Sequence, residues 1–478
     1  MGNTKTKSLT KNSIYYLAYN VLNVLFPFIT GIYVARVIPE DLVGRVTYAQ
    51  NIVQYFALLS FLGIPTYGLR EISKNRNNPE EKNKVYTELL IINAISTTIF
   101  SILYFGVVLL YFRTNLLLYT IVGFSVVINY LNISWLYEGL EEYKYISIRN
   151  IAFKVICLLL LFLFVRGPED YLVYAAITVF GVAGNYIVNV LMAPKFVRLS
   201  FEELSLKRHF KPIMLLVVVN LAIEIYTLVD TTMIGYFCEE RYVAYYGFGS
   251  KINKIFIQIM HTFTMVIVPR IAFYHNEGNK KEFNRILAMT FKVICLLSIP
   301  LIIGIFFCSD YAVTLLYGNA YIRSAKVLRI LSLAILVSPI GYLLGSRVLL
   351  VTNNESKMPF CVGAGAIVNV ILNWILIPQY LEFGAATASV ISEVVVMAVY
   401  LFFSCKIFRL QDCKGTVVKI IVAASIMATS LFLYEFIKPQ KFVGFILQVV
   451  IGFTTYIGLL ILMKEKTLIT ILKERRVW

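Results

Sequence analysis

Apolar stretches long enough to cross a bilayer follow one another along almost the whole chain, separated only by short polar gaps. About fourteen are present, at roughly 13–34, 43–63, 86–111, 116–137, 146–165, 170–193, 212–237, 243–267, 285–308, 325–351, 359–379, 383–404, 417–437 and 442–463. At 1.5 Å rise per residue each can cover a hydrocarbon core of about 30 Å. In that medium the backbone must satisfy its own polar groups, so each stretch is expected as a helix. The fold class expected is all-α integral membrane, with about 14 transmembrane helices and almost no soluble part.

The basic residues give the orientation. With the amino terminus taken as cytoplasmic, 29 of the 44 Lys and Arg residues fall in inside segments and ten, including Arg36, Arg45, Arg323 and Lys326, fall outside. This is the bias that the positive-inside rule predicts for an even number of spans, with both termini cytoplasmic. The net charge of +17 is spread over eight short inner loops, with no basic groove or stacking platform among them. No nucleic acid is expected as a partner; the charge suits anionic inner-leaflet lipid instead. The first apolar stretch is longer than a signal peptide's core and lacks a small-residue cleavage site, so it counts as span one. Cys157, Cys238, Cys295, Cys308, Cys361, Cys405 and Cys413 are odd in number and scattered, which fits neither a disulfide framework nor a zinc site. His209, His261 and His275 lack metal-ligand spacing. No phosphate-binding glycine loop, dinucleotide fingerprint or large outer loop with paired carboxylates occurs. Neither an enzyme nor a cofactor or metal is expected.

An internal repeat organises the chain. A shift of 200 residues lays Val43–Ile52 over Val243–Ile252, with an acidic turn before each, Glu40-Asp41 and Glu239-Glu240. An even shift of six spans makes this a parallel repeat. The domains expected are an N-terminal lobe at 1–194, an inter-lobe linker at 195–211, a C-terminal lobe at 212–404, and a trailing pair of helices with a tail at 405–478. The linker has two readings. Phe196, Val197, Leu199, Phe201, Leu204, Leu206 and Phe210 fit a short helix lying in the inner interface, or the stretch is a plain connection. Repeated halves of this kind are usual in alternating-access transporters.

Polar residues inside the spans mark candidate sites, because a charge at bilayer depth costs about 2.5–3.5 kcal/mol on insertion scales. Lys251, Lys254, Gln258 and His261 share one helical face. The repeat places Asn51 and Gln54 opposite Lys251 and Lys254. These faces line a central cavity, or else the lysines snorkel to an interface. In span 7, Asn220, Glu224, Thr227 and Thr231 form a stripe, with Asp230 on another face. Glu224 and Asp230 are the candidate coupling-ion residues, although an ion pair from Glu224 to Lys251 or Lys254 is the commoner arrangement. Lys154, Lys292, Arg347 and Glu393 are further isolated charges. The cations outnumber the anions, which suits an anionic substrate head. Asn129 with Asn132, Asn185 with Asn189, and Asn369 with Asn373 read as helix-packing pairs, and Ser338, Gly341 and Gly345 as a seam for a close neighbour. Pro27, Pro65, Pro269, Pro300 and Pro339 are expected to kink spans or loosen their ends.

Several stretches carry a resemblance. They are Val43 to Phe56, Gly63 to Ile72, Asp230 to Gly235 with Tyr245-Tyr246-Gly247, and Asn369 to Glu393. In these the chain resembles the polysaccharide-transporter family, the O-antigen and capsule repeat-unit flippases of the multidrug/oligosaccharidyl-lipid/polysaccharide superfamily. The resemblance implies two six-helix lobes in a V, like the multidrug exporters of that superfamily, plus two C-terminal helices. It implies movement of an undecaprenyl-diphosphate-linked oligosaccharide from the inner to the outer leaflet of a bacterial inner membrane, with a polysaccharide polymerase and chain-length proteins as partners. By position, the substrate-binding candidates are Arg45, Lys154, Lys251, Lys254, Lys292 and Arg347. Ion-coupled multidrug export and lipid II flipping are the alternatives on the same fold, and a membrane glycan polymerase ranks below them.

Overall fold

The computed structural model describes residue 23 and residues 25–409, 413–436 and 441–473. Among the described residues, twelve helices are long and apolar enough to cross a membrane. The two other expected spans fall on the apolar helix Leu25–Val37 (α1) and on Lys207–Phe237 (α7). Between them lie α2 (Glu40–Ser60), α3 (Pro79–Tyr111), α4 (Leu116–Val127), α5 (Tyr143–Phe164) and α6 (Tyr171–Met192). After α7 come α8 (Glu240–Val266), α9 (Lys280–Tyr317), α10 (Arg323–Val351), α11 (Met358–Tyr380), α12 (Glu382–Ser404), α13 (Lys414–Glu435) and α14 (Lys441–Leu462). The order of the expected spans is kept, and residues 13–22 of the first lie outside the described residues.

The chain forms two compact units, Met1–Leu228 and Val229–Trp478, and the division falls within α7. The repeat is visible in their elements. α2 starts at Glu40 and α8 two hundred residues later at Glu240. Each is followed by a short helix, Ile64–Lys74 or Val268–Asn276, with proline in its first turn. The long helix that comes next is capped in both units by an asparagine: the Glu81 N–H donates to Asn78 Oδ1, and the Glu282 N–H to Asn279 Oδ1, each at 3.2 Å. Such caps satisfy a free N–H and fix where the helix begins.

In the first unit, Trp135, Tyr137, Tyr67 and Leu89 pack in one buried cluster, and Tyr104, Tyr119, Val46 and Val122 in another. The expected asparagine pairs serve here as helix contacts. Asn129 Nδ2 donates to the Ala57 carbonyl and Ser60 Oγ, and Asn185 Oδ1 accepts from Arg149 Nε at 2.9 Å.

The linker reading is settled by side chains of α3. Residues 196–206 are not helical. Their backbone N–H groups are taken from outside: Arg198 N–H donates to Asn83 Oδ1, Ser200 N–H to Thr87 Oγ1, and Ser205 N–H to Glu88 Oε1. Glu88 is fully buried and also accepts from Arg208 Nε and Nη2. It accepts from His209 Nε2 at 2.7 Å as well, while the other ring nitrogen of His209 lies 2.8 Å from the Tyr67 hydroxyl. Arg208 Nη1 reaches Glu81 at 2.5 Å. The interfacial helix does not form because its donors are committed to α3. The connection is strapped down.

In the second unit, the expected seam holds. A β-carbon on Gly341 would lie 3.1 Å from the Met397 Cα, and one on Gly345 would overlap the Tyr400 side chain. α12 therefore lies directly on α10. Gly345→Ala is expected to lower the melting temperature of the purified protein, by the 1–3 kcal/mol typical of overpacking, roughly; an unchanged melting temperature would mean that Tyr400 yields without cost. α13 and α14 dock on α9, where the Tyr456 hydroxyl donates to the Leu296 carbonyl at 2.9 Å. Beyond α14, Glu465 accepts from the Leu468 N–H and the Thr416 hydroxyl. Burial alone would raise its pKa, but these bonds and those from Thr467 hold it below the ordinary carboxylate range.

Candidate transport site

Asp230 is the most enclosed candidate. It stands near the end of α7 and is buried at 6% exposure. Its Oδ1 accepts from Asn369 Nδ2 at 3.0 Å and Asn373 Nδ2 at 2.7 Å, both on α11. Its Oδ2 accepts from the hydroxyls of Tyr246 on α8 and Ser389 on α12, each at 2.5 Å. Four helices thus converge on one carboxylate, and its bonds come from neutral donors. A carboxylate offers about four lone-pair sites, and all four are used. One acceptor in this cluster is left over: Asn373 Oδ1 is buried without a hydrogen bond.

The asparagine pair of α11 is therefore more than packing. The sequence marks Asp230, Tyr246, Asn369, Asn373 and the segment holding Ser389, but nothing local in it joins them. The available signal was physical: a lone aspartate in an apolar helix needs donors, and two asparagines one turn apart supply two.

The cations of the second unit are arranged differently. On α8, Lys251 is half-buried with its ammonium 4.9 Å from the centre of the Phe248 ring, and Lys254, one turn on, is exposed. Lys292 on α9 is half-buried. Arg347 on α10 is half-buried, with its guanidinium 4.8 Å from the Tyr342 ring centre and a buried Nε that has no partner. Among the described residues, none of the four makes an ion pair or a hydrogen bond. His261, on the face of Lys251 and Lys254, stacks on Tyr342 and lies 3.2 Å from Ser338 Oγ.

The candidates of the first unit are placed separately. Lys154 donates to Asn23 Oδ1 at 2.5 Å and lies 5.8 Å from the Phe26 ring centre, which ties α5 to the start of the chain. Arg45 is half-buried on α2. Asn51 is buried and donates to the Leu228 carbonyl, whereas Gln54 is exposed, matching the half-buried Lys251 and exposed Lys254 at the same repeat positions. Glu224 accepts from the Thr227 hydroxyl at 3.1 Å on its own helix.

A cage around an aspartate and, among the described residues, a set of unpaired cations on apolar helices suit a membrane transporter. The structure is similar to lipid II flippase MurJ in its inward closed conformation, with a TM-score of 0.74, 16% identity, and coverage of 94% of this chain and 99% of that one. It is also similar to an inward-facing multidrug resistance MATE family transporter of the MOP superfamily, with a TM-score of 0.65, 16% identity, and coverage of 84% and 99%. The polysaccharide biosynthesis protein family model matches residues 9–275, more than half of the chain, and the chain belongs to that family. The MatE model matches residues 216–375. Relatives include a putative O-antigen transporter of Shigella dysenteriae, 22% identical over 401 residues, or 81% of this chain and 98% of the relative. The probable low-salt glycan biosynthesis flippase Agl15 of Haloferax volcanii is 22% identical over 236 residues, or 49% of each.

Proposed function

We propose that this chain is a flippase. It moves undecaprenyl-diphosphate-linked oligosaccharide repeat units from the inner to the outer leaflet, for O-antigen or capsule synthesis, by alternating access. The observation that carries the reading is a set of cations within the apolar helices of the second unit, Lys251, Lys254, Lys292 and Arg347, that make no ion pair or hydrogen bond among the described residues. A charge kept there without a counter-ion costs about 2.5–3.5 kcal/mol, so its use has to be sought in an anion that visits. A diphosphate meets that need, and hydrated cations replace the water it loses. Arg45 and Lys154 are further contacts in this reading. Family membership and relatives named as an O-antigen transporter and a glycan flippase support it.

Asp230 is the coupling-ion site in this reading, with Glu224 as the alternative. The orphaned Asn373 Oδ1 beside the Asp230 carboxylate supports it, because a proton or Na+ there would gain an acceptor that now has none. The protein sits in a bacterial inner membrane with both termini cytoplasmic, and a polysaccharide polymerase and chain-length proteins act after it.

Two measurements test the cargo. Deletion of the gene should accumulate an undecaprenyl-diphosphate repeat unit on the inner leaflet. The double change Lys251→Ala and Lys254→Ala should abolish surface polysaccharide with the protein still in the membrane; normal polymer in that strain would remove the assignment. The MatE match favours one second reading, ion-coupled drug export. It ranks lower because cationic drugs call for an acidic site, and the cations within the spans outnumber the acids.

A further inference from the structure

α10 contains a change of helix type. Its segments run Ala334–Gly341 as α-helix, Tyr342–Arg347 as π-helix and Val348–Val351 as α-helix again. In an α-helix, residues five apart point about 140° away from each other. In a π turn the i to i+5 bond sets them one above the other. Tyr342 and Arg347 are such a pair, and the guanidinium lies 4.8 Å from the ring centre. The π turn is what brings them together.

A second helix completes the arrangement. His261 of α8 lies parallel to the Tyr342 ring, with centroids 4.3 Å apart and planes at 21°. Its Nε2 is 3.2 Å from the hydroxyl of Ser338, one turn before Tyr342. Tyr342 is thus clamped on an otherwise enclosed helix: 61% of the most apolar stretch of α10 is buried, against 22–39% in the other spans. Arg347 makes no hydrogen bond and no ion pair among the described residues, and its Nε is buried and orphaned. An oriented guanidinium without an acid is built for an anion that arrives. Its planar fork suits a phosphate group.

Depth narrows the role. Arg347 is four residues from the end of α10 at Val351, and His261 five from the end of α8 at Val266. At 1.5 Å per residue Arg347 lies about 6 Å inside the end of its span, and His261 about 8 Å before the break that precedes the helix Val268–Asn276. Lys254 is about 10 Å further along the same face of α8.

We propose that Arg347, positioned by Tyr342 and His261, is the loading seat for the diphosphate of the lipid-linked substrate, the first contact before Lys254 and Lys251. This rests on the flippase reading for the cargo, while the seat itself recognises a lipid-borne diphosphate whatever sugar it carries. Tyr342 and His261 are positioning residues.

The test uses purified full-length protein in detergent and measures binding of undecaprenyl diphosphate, with inorganic pyrophosphate and phosphatidylglycerol as separate arms. The intact protein should bind undecaprenyl diphosphate, and pyrophosphate more weakly. Arg347→Gln should weaken binding of undecaprenyl diphosphate about tenfold or more, and Arg347→Lys should restore part of it, as a point charge without the fork. Tyr342→Ala should weaken binding, and Tyr342→Phe, which keeps the ring, should restore it; a merely structural tyrosine would show no such rescue at constant melting temperature. Should Arg347→Gln fail to fold, Arg347→Lys and the Tyr342 pair carry the test. Unchanged affinity in Arg347→Gln overturns the proposal, and so does equally tight binding of phosphatidylglycerol, which would assign the seat to bulk lipid. The two readings fail separately. Lost polysaccharide in the Lys251 and Lys254 variant with normal binding in Arg347→Gln sinks the seat alone. Lost binding in Arg347→Gln with normal polysaccharide in both strains sinks the cargo alone.

Discussion

Asp230→Asn is expected to leave the protein folded in the membrane and to stop transport, measured as loss of surface polysaccharide by at least about tenfold, the scale of a lost coupling contact. The geometry explains why the two effects separate. The amide oxygen can still accept from Asn369 and Asn373, and the new NH2 can donate to the hydroxyls of Tyr246 and Ser389, which rotate to accept. The cage survives without its charge. Asp230→Ala should behave differently, because it strands donors from three helices. An unsatisfied buried donor costs about 1–3 kcal/mol, so a markedly lower melting temperature is expected on top of the transport loss. Full transport by Asp230→Asn would remove the coupling role, and a normal melting temperature for Asp230→Ala would show that the cage contributes little to folding.

Glu88→Ala is expected to release the strap between α6 and α7. The carboxylate is fully buried and joins the Ser205 N–H, Arg208 and His209. Removing one side of a buried pair costs about 3–5 kcal/mol, because the remaining charge is left without compensation. Arg208 is partly exposed, which lowers its share, so the figure is an upper guide. Limited proteolysis should cut residues 196–206 readily in the variant and slowly in the parent. Glu88→Gln should fall between them, since an amide still accepts from the Ser205 N–H but no longer neutralises Arg208. Equal cleavage rates in parent and Glu88→Ala would mean that Asn83 and Thr87 hold the strap unaided.

The helices were legible because each needs about twenty apolar residues in a row, a local property. The repeat was read from an acidic turn and a few residues beyond it, and matching caps at Asn78 and Asn279 recur further along the two units. The Asp230 cage was legible only in part. Its donors lie 16 to 159 residues away along the chain, and nothing local says that an asparagine pair faces an aspartate rather than another helix. The linker shows the same limit. Its apolar spacing allowed a helix, and the outcome was decided by acceptors on α3, more than a hundred residues earlier. The π turn left no mark in the sequence beyond Gly345, which read as part of a packing seam. Long-range hydrogen bonds overruled local pattern in each case.

The strap also makes its own apex expendable. Glu202 and Glu203 form a turn in which Glu203 takes a positive φ of 46° and an almost fully solvated side chain, while Ser200 before it and Ser205 after it are tied to α3. Foreign sequence spliced in at this turn, such as a fluorescent reporter, meets the slowly growing entropy of a longer loop and the loss of one solvated ion pair, Lys84 to Glu203 at 3.8 Å, a small term at such exposure. The same insert placed a few residues to either side would tear the chain from its moorings.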